Sequence, residues 1–187
     1  MRQFLPREIP KYEALRGLVR RYPQIDPGAV EAYLTLLRVA SDVLDALEVH
    51  FSRHRISPGR FSVLMMVNVG PEEGMCASDI ADKIGVSRAT ITGLVDGLER
   101  DGLIARIGQA EDRRKTFVRL TPVGRKYAAA MLPDHFARTA KLMAALSAGE
   151  RKTLIRLLGK VRDGIPALIE PLGNGRGARA ANAAAAK

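Results

Sequence analysis

Residues 87–98 carry side chains that can read the edges of DNA base pairs. Their apolar members recur at helical spacing and predict a helix with one buried stripe, formed by Ile91, Leu94, Val95 and Leu98. The rest of this surface is small or polar, with candidate DNA contacts at Ser87, Arg88, Ala89, Thr90, Thr92 and Gly93, and with Asp96 on the same side. Small residues let a helix approach the major groove, a cation can reach guanine or phosphate, and a methyl group can contact thymine. The segment is therefore a candidate recognition helix.

Ser87 begins this helix and has two interpretations. As an N-cap it would stabilise any surface helix, whereas the free N–H groups at a helix start also suit a phosphate oxygen. We favour the DNA interpretation because a short helix, a glycine turn and a basic hairpin adjoin the segment in one block. Ser78, in that short helix, is a further candidate DNA contact.

The tip of the predicted hairpin carries a second cluster, Asp112, Arg113, Arg114 and Lys115. Three consecutive cations on a two-stranded projection can enter the narrow, electronegative minor groove beside the recognition helix. Asp112 is expected to orient Arg113 or Arg114 through a charge-assisted hydrogen bond. The alternative is a solvated hairpin whose charges serve solubility alone.

Two other groups of reactive side chains are interpreted as structural. His50 and His54 have a spacing that can hold a metal, but no third ligand is evident nearby, so we expect helix-end histidines and no metal or cofactor. Cys76 is expected to be a small, partly buried, unreactive cysteine rather than an oxidant sensor. The sequence has no nucleophile elbow, glycine-rich phosphate loop or cysteine pair, so we expect no catalytic residue and no enzyme.

Cap residues mark where the supporting helices begin. Asp26-Pro27 and Ser57-Pro58 each place an N-cap acceptor before a proline, and predict helices to about residue 52 and to residue 69. A break at Gly85-Val86 separates the short helix from the recognition helix. The remaining helices are expected over residues 12–19, 77–84, 87–100 and 122–145, and from a capping box at 147–150 to just before 164.

Between residues 103 and 120 the apolar period changes to two. Leu103–Ile107 and Thr116–Leu120 predict strands joined by a polar turn, and residues 71–76 are expected to form a loop. The expected fold class is mainly α with a small β-hairpin wing: a winged helix-turn-helix lobe plus a helical dimerisation region. Its expected parts are an N-terminal helical extension (1–25), a dimerisation helix (26–56), the DNA-binding lobe (57–122), C-terminal dimerisation helices (123–170) and a disordered tail (171–187).

Composition limits the class of protein. The chain has 187 residues, and 30 Lys plus Arg against 20 Asp plus Glu give a net charge of +10, which favours a polyanionic partner. One cysteine excludes a disulfide-stapled secreted scaffold. No apolar run approaches a membrane span, and the N-terminus lacks the apolar stretch of a signal peptide. We therefore expect a cytoplasmic protein that does not bind membranes.

Residues 78–126 resemble the MarR family of bacterial transcription regulators. The resemblance lies in Ser78–Ala81, Val86–Thr92, Leu98–Ile104, Asp112–Arg114 and Leu120–Arg125, taken together and in this order. The helix order on either side agrees, so the resemblance covers about residues 27–165. Position 93, commonly Arg in such helices, is Gly here.

The resemblance implies a homodimer that binds a pseudo-palindromic operator in double-stranded DNA. It implies that residues 87–93 read the major groove and that the Asp112-Arg113-Arg114 tip enters the minor groove. It also implies a repressor regulated by a small aromatic or phenolic ligand between the dimerisation helices and the DNA-binding lobe. Candidate pocket residues, which could equally be core, are Phe51, His54, Phe61 and Met65.

Other functions remain open. A non-specific architectural DNA-binding protein would explain the charge and the hairpin equally well, but would show no half-site preference. A winged-helix protein-interaction module or a small enzyme is a weaker alternative, since the basic hairpin and the lack of catalytic motifs oppose them.

Overall fold

A computed structural model describes residues 12–108 and 116–170. The expected disordered tail and the turn of the hairpin lie outside these ranges. Within them the structure contains seven α-helices, a short 3-10 helix and a small sheet. The helices are α1 (Tyr12–Val19), α2 (Pro27–Arg53), α3 (Pro58–Val69), α4 (Ala77–Ile84), α5 (Arg88–Arg100), α6 (Pro122–Leu142), α7 (Ala148–Asp163) and the 3-10 helix Ile165–Leu168. The strands are β1 (Met75–Cys76), β2 (Ile104–Gly108) and β3 (Thr116–Leu120).

Side-chain caps begin the helices where the sequence predicts them. Asp26 Oδ1 accepts a hydrogen bond from the Ala29 N–H at 3.1 Å, and Ser57 Oγ accepts one from the Arg60 N–H at 3.3 Å. In each case proline takes the first helical position, where its missing N–H costs no intrahelical hydrogen bond. The predicted starts of α2 and α3 are confirmed.

The sheet has three antiparallel strands in the order β1-β3-β2. Its hairpin pairs Ile104 with Leu120 and Gly108 with Thr116, as the period-two pattern predicts. The expected loop over 71–76 is wrong at its end, because Met75 pairs with Val118 and Cys76 with Phe117. Two residues are too few to show a period, and they become a strand only because β3 offers them an open edge.

The chain divides into two compact units, Met1–Leu132 and Pro133–Lys187. The first holds a mainly aliphatic core formed by α2, α3, α4, α5, the first part of α6 and the sheet. Its largest fully buried side chains are Leu64, Ile80, Ile91, Leu98, Ile104, Met131, Val63, Val95 and Val118. Burying each such side chain stabilises the fold by about 1.5–3 kcal/mol, so this core anchors the helix that carries the candidate DNA contacts.

The start of α6 is fitted to the turn that follows α5. The Thr121 hydroxyl donates to the Gly102 carbonyl at 2.6 Å and accepts from the Gly124 N–H at 2.9 Å. A Cβ at Gly124 would overlap the Leu103 carbonyl oxygen, so only glycine allows this approach.

The second unit contains α7, which begins at the predicted capping box. Ser147 Oγ accepts from the Glu150 N–H at 3.2 Å, and Glu150 Oε2 accepts from the Ser147 N–H at 2.7 Å. The preceding helix ends at Leu142 rather than at the predicted residue 145. Residues 143–146 form a turn. The Arg151 guanidinium, from α7, donates a hydrogen bond to the Leu146 carbonyl of this turn at 2.6 Å, and no local sequence pattern predicts that contact. No helix in the described ranges combines the length and apolar character of a membrane span.

Candidate nucleic-acid interface

Helix α5 has the two faces that its sequence predicts. Ile91, Val95 and Leu98 are buried, and Leu94 is half-buried against the same core. The other side is exposed along the predicted contact residues Ser87, Arg88, Ala89, Thr90, Thr92 and Gly93. The surface required for a recognition helix is therefore present, and contact of these residues with DNA stays a prediction.

The N-terminus of α5 is capped by its own hydroxyl groups. Ser87 Oγ accepts from the Thr90 N–H at 3.1 Å and lies 2.9 Å from Thr90 Oγ1. The N–H groups of Arg88 and Ala89 belong to the first helical turn, where no intrahelical acceptor exists, and so suit a phosphate oxygen. Thr92 Oγ1 donates back to the Arg88 carbonyl at 2.8 Å, which leaves the Thr92 methyl group for apolar contact with a base.

The two glycines of α5 occupy different surroundings. A Cβ at Gly93 would meet no atom within 4 Å, so packing does not require glycine there. A Cβ at Gly97 would overlap the guanidinium of Arg60, which crosses the helix to reach Asp101 Oδ2 at 2.8 Å. Gly97 therefore makes room for an ion pair between α3 and the C-terminal end of α5.

Helix α4 precedes the recognition helix through a turn at Gly85, whose φ of 77° is one that glycine adopts without strain. Ser78 is half-buried, and its Oγ lies 3.1 Å from Cys76 Sγ. Cys76 occupies the N-cap position of α4 and is half-buried, in agreement with the expectation of a small, partly buried cysteine. Its expected lack of reactivity stays a prediction.

Arg106 is a functional candidate that our sequence reasoning missed. Its guanidinium in β2 forms ion pairs with Asp96 and Glu99, both in α5. Burial lowers the pKa of Arg106, but hydrogen bonds to the two carboxylates more than compensate and raise it above its ordinary value. A signal was available: Arg106 follows Ile104 by two residues, and alternate residues of a strand share a face. A cation in the inward row of a strand needs an acidic partner.

The predicted tip residues Asp112, Arg113, Arg114 and Lys115 lie outside the described part of the chain. The two strands on either side of this cluster in the sequence are described up to Gly108 and from Thr116. The position of this cluster on a wing and its contacts with DNA both stay predictions.

The candidate pocket residues lie around the end of α2. Phe51 is 3% exposed, and its ring centroid lies 4.4 Å from that of Phe61, which packs against the same core. The His54 carbonyl accepts from the Tyr127 hydroxyl at 2.7 Å, and Met65 is half-buried. Burial, together with the negative charge of Asp101, raises the pKa of Tyr127. The aromatic pair has a core role, and its role in ligand binding is untested.

The histidines at the end of α2 differ in burial. His50 is buried at 7% exposure in the last turn of α2, and His54 is half-buried at its C-cap, in agreement with the expectation of helix-end histidines. The two rings meet edge to face with centroids 5.1 Å apart. His50 lies on the side of α2 that also bears Leu47 and Phe51, and both of those residues pack in the core. Helical spacing alone does not show which side of α2 faces the core.

Comparison with known proteins gives one consistent result. Residues 56–116 match the model of the MarR family. The HTH-type transcriptional repressor YetL of Bacillus subtilis is 31% identical over 153 residues, which are 82% of this chain and 92% of YetL. The structure of the transcriptional repressor CouR bound to a 23-mer DNA duplex is 26% identical, with a TM-score of 0.62 over 69% of this chain and 90% of CouR. The regulator PcaV from Streptomyces coelicolor, in complex with its natural ligand, is 21% identical, with a TM-score of 0.59 over 68% and 92% of the two chains.

Proposed function

The chain belongs to the MarR family of transcription regulators, and from this premise we propose that it is a homodimeric repressor that binds a pseudo-palindromic operator and is released by a small aromatic or phenolic ligand. The observation that carries the proposal is the exposed, small and polar face of α5 next to the β2–β3 wing. The similarity to YetL, a transcriptional repressor, supports repression rather than activation, and the similarity to CouR bound to a DNA duplex supports DNA as the partner.

In the proposed complex, α5 enters the major groove and the wing follows the adjacent minor groove. Arg88 contacts guanine or phosphate, while Ala89 and the Thr92 methyl group contact thymine methyl groups. Arg113, Arg114 and Lys115 contact the minor groove, and Asp112 orients Arg113 or Arg114 through a charge-assisted hydrogen bond. The net charge of +10 supports attraction to the phosphate backbone.

Apolar side chains that remain exposed support the homodimer. Helix α2 exposes Tyr33, Val39, Leu44 and Val49. The second unit exposes Phe136, Leu142, Ile155, Leu157, Leu158, Val161, Ile165, Leu168 and Ile169, and α7 buries none of its residues within the chain. Apolar surfaces of this extent mark interaction sites. We assign residues 26–56 and 123–170 to dimerisation, and residues 57–122 to DNA binding.

The proposed ligand acts by linkage. A ligand that favours a dimer with mis-spaced recognition helices must lower the affinity for DNA, because each ligand changes the affinity for the other by the same factor. The ring pair of Phe51 and Phe61, and the Tyr127 hydroxyl that donates to the His54 carbonyl, support an aromatic ligand near the end of α2. PcaV, a regulator of the same fold, has been solved with its natural ligand.

The deciding experiment is selection of binding sites from random duplex DNA at physiological salt. An enriched palindrome with half-site centres about 10 base pairs apart would support the dimeric repressor. Binding without enrichment, and with a steep salt dependence on every duplex, would instead favour an architectural DNA-binding protein. No binding at low salt would leave a protein-interaction module as the better explanation.

A further inference from the structure

A three-residue ion network joins the recognition helix to the wing. The Arg106 guanidinium donates through Nη1 to Glu99 and through Nη2 to Asp96, and the Arg106 backbone N–H donates to Glu99 Oε1 at 3.2 Å. Asp96 and Glu99 are three residues apart in α5, so they are neighbours on one side of the helix. Strand β2 is therefore tied to α5 by both the side chain and the backbone of one residue.

The network begins where the apolar core ends. Ile104 is 2% exposed, while the Arg106 side chain, two residues further along the same face of β2, is 30% exposed. Asp96 and Glu99 are 57% and 39% exposed. From Arg106 outward, apolar packing no longer holds the wing to the helix, and the ion network takes over that role.

The two carboxylates pose an electrostatic difficulty for a DNA-binding helix. Asp96 is exposed on the side of α5 that also carries Gly93, and a carboxylate there repels phosphate groups. Two acidic residues in a helix that approaches DNA lower the affinity of the protein for DNA, so their presence calls for a structural role. Their contact with Arg106 supplies that role.

We propose that Asp96, Glu99 and Arg106 form a brace that fixes the angle between the wing and the recognition helix, so that major-groove and minor-groove contacts form together on one half-site. The proposal rests on the DNA-binding function proposed above. The three residues are positioning residues, since they act through the DNA contacts of α5 and of the wing.

The brace predicts that removing two negative charges will weaken binding to the operator, the opposite of what electrostatics alone predicts. Non-specific binding depends mainly on net charge, whereas operator binding also needs both sets of contacts in register. The double substitution Asp96→Asn with Glu99→Gln preserves side-chain shape and removes two negative charges. Electrostatics alone would therefore tighten binding to every duplex. The brace predicts tighter binding to a scrambled duplex but roughly tenfold weaker binding to the selected operator.

The test is fluorescence anisotropy titration of the full chain with the operator and with a scrambled duplex of equal length. Asp82→Asn is the matched control, because Asp82 is exposed on the neighbouring helix α4 and forms no ion pair with any described residue. It removes one negative charge from the same lobe and should tighten binding to both duplexes. Arg106→Met should weaken operator binding, and its loss should not add to that of the double carboxylate variant, because all three changes break one network.

The outcomes separate the brace from the proposed function. If the wild-type chain enriches no sequence, the operator function fails before any variant is made. If the wild-type chain selects an operator that the double variant binds more tightly, the brace is overturned and the regulator function stands. Thermal unfolding checks that the variants fold. Should the double variant not fold, Asp96→Asn alone gives the same test of sign, because its carboxylate is more than half exposed.

Discussion

The space beside the Cα atom explains why glycine is required at one helical position of this protein and not at another. Gly124 lies against the Leu103 carbonyl, whereas Gly93, also in a helix, faces open space. Both are glycines within helices, so propensity alone would treat them alike. Their surroundings give the same substitution opposite consequences for stability.

We expect Gly124→Ala to destabilise the protein by about 1–3 kcal/mol, because the added methyl group would push the start of α6 away from the turn after α5. Gly93→Ala is the matched control and should stabilise the protein by about 0.5–1 kcal/mol through the higher helix propensity of alanine. Chemical denaturation monitored by circular dichroism measures both. A neutral Gly124→Ala would mean that this junction is more loosely packed than the structure shows.

In the segment between β2 and β3, we expect Arg113→Ala to weaken operator binding by about 1–3 kcal/mol, mostly where the flanking sequence is rich in A·T pairs, because narrow minor grooves attract arginine. Titration with operators that differ only in their flanks measures this selectivity. An equal loss on every flank would show that Arg113 contacts phosphate alone.

The helices begin at caps formed by neighbouring residues, whereas other element boundaries depend on contacts with residues far away in the sequence. Caps at Asp26, Ser57, Ser87 and Ser147 act within three residues, so they depend on local sequence alone. The end of α6 instead involves Arg151, and strand β1 depends on the edge of β3. Starts were therefore easier to predict than ends.

The capping box of α7 should make its first turn sensitive to acid. The Ser147 hydroxyl and backbone N–H hold the pKa of Glu150 below its ordinary value of 4.5. A lowered pKa in the folded state contributes stability above pH 4.5, and this contribution is lost as the pH falls through the folded value. We expect Glu150→Gln to increase hydrogen exchange of the Ser147 amide at neutral pH, and the difference from wild type to shrink in acid. A constant difference across that range would contradict the role of the charge.

For the whole molecule, burial is uneven between the two units. The first unit encloses an aliphatic core, whereas in the second unit α7 leaves Ile155, Leu158 and Val161 exposed. A helix with this many exposed apolar residues is stable when a partner covers them. A second copy of the chain is the partner that we propose.

We expect Ile155→Asp to shift the protein from dimer to monomer, because Ile155 is 71% exposed in the single chain and a buried carboxylate at an interface is costly. Thr153→Asp adds the same charge at an exposed polar position of α7 and serves as the control. Light scattering after size exclusion measures the mass of each variant. A dimer that persists in Ile155→Asp would place the interface elsewhere.

The order of the helices, the two strands of the wing and the exposed face of α5 could be predicted from the sequence. Those features depend on caps, apolar periods and turn residues, which act over a few positions. The family resemblance in residues 78–126 followed from the same local motifs, and comparison confirms it.

The packing of the folded chain determines which distant groups meet. It paired Met75 with Val118, placed Arg60 across Gly97, buried His50, and joined Arg106 to Asp96 and Glu99. No local sequence pattern predicts these features, because each depends on the angle at which two elements pack. A charged residue shows from sequence that it needs a partner, but the packing of the core selects which partner it finds.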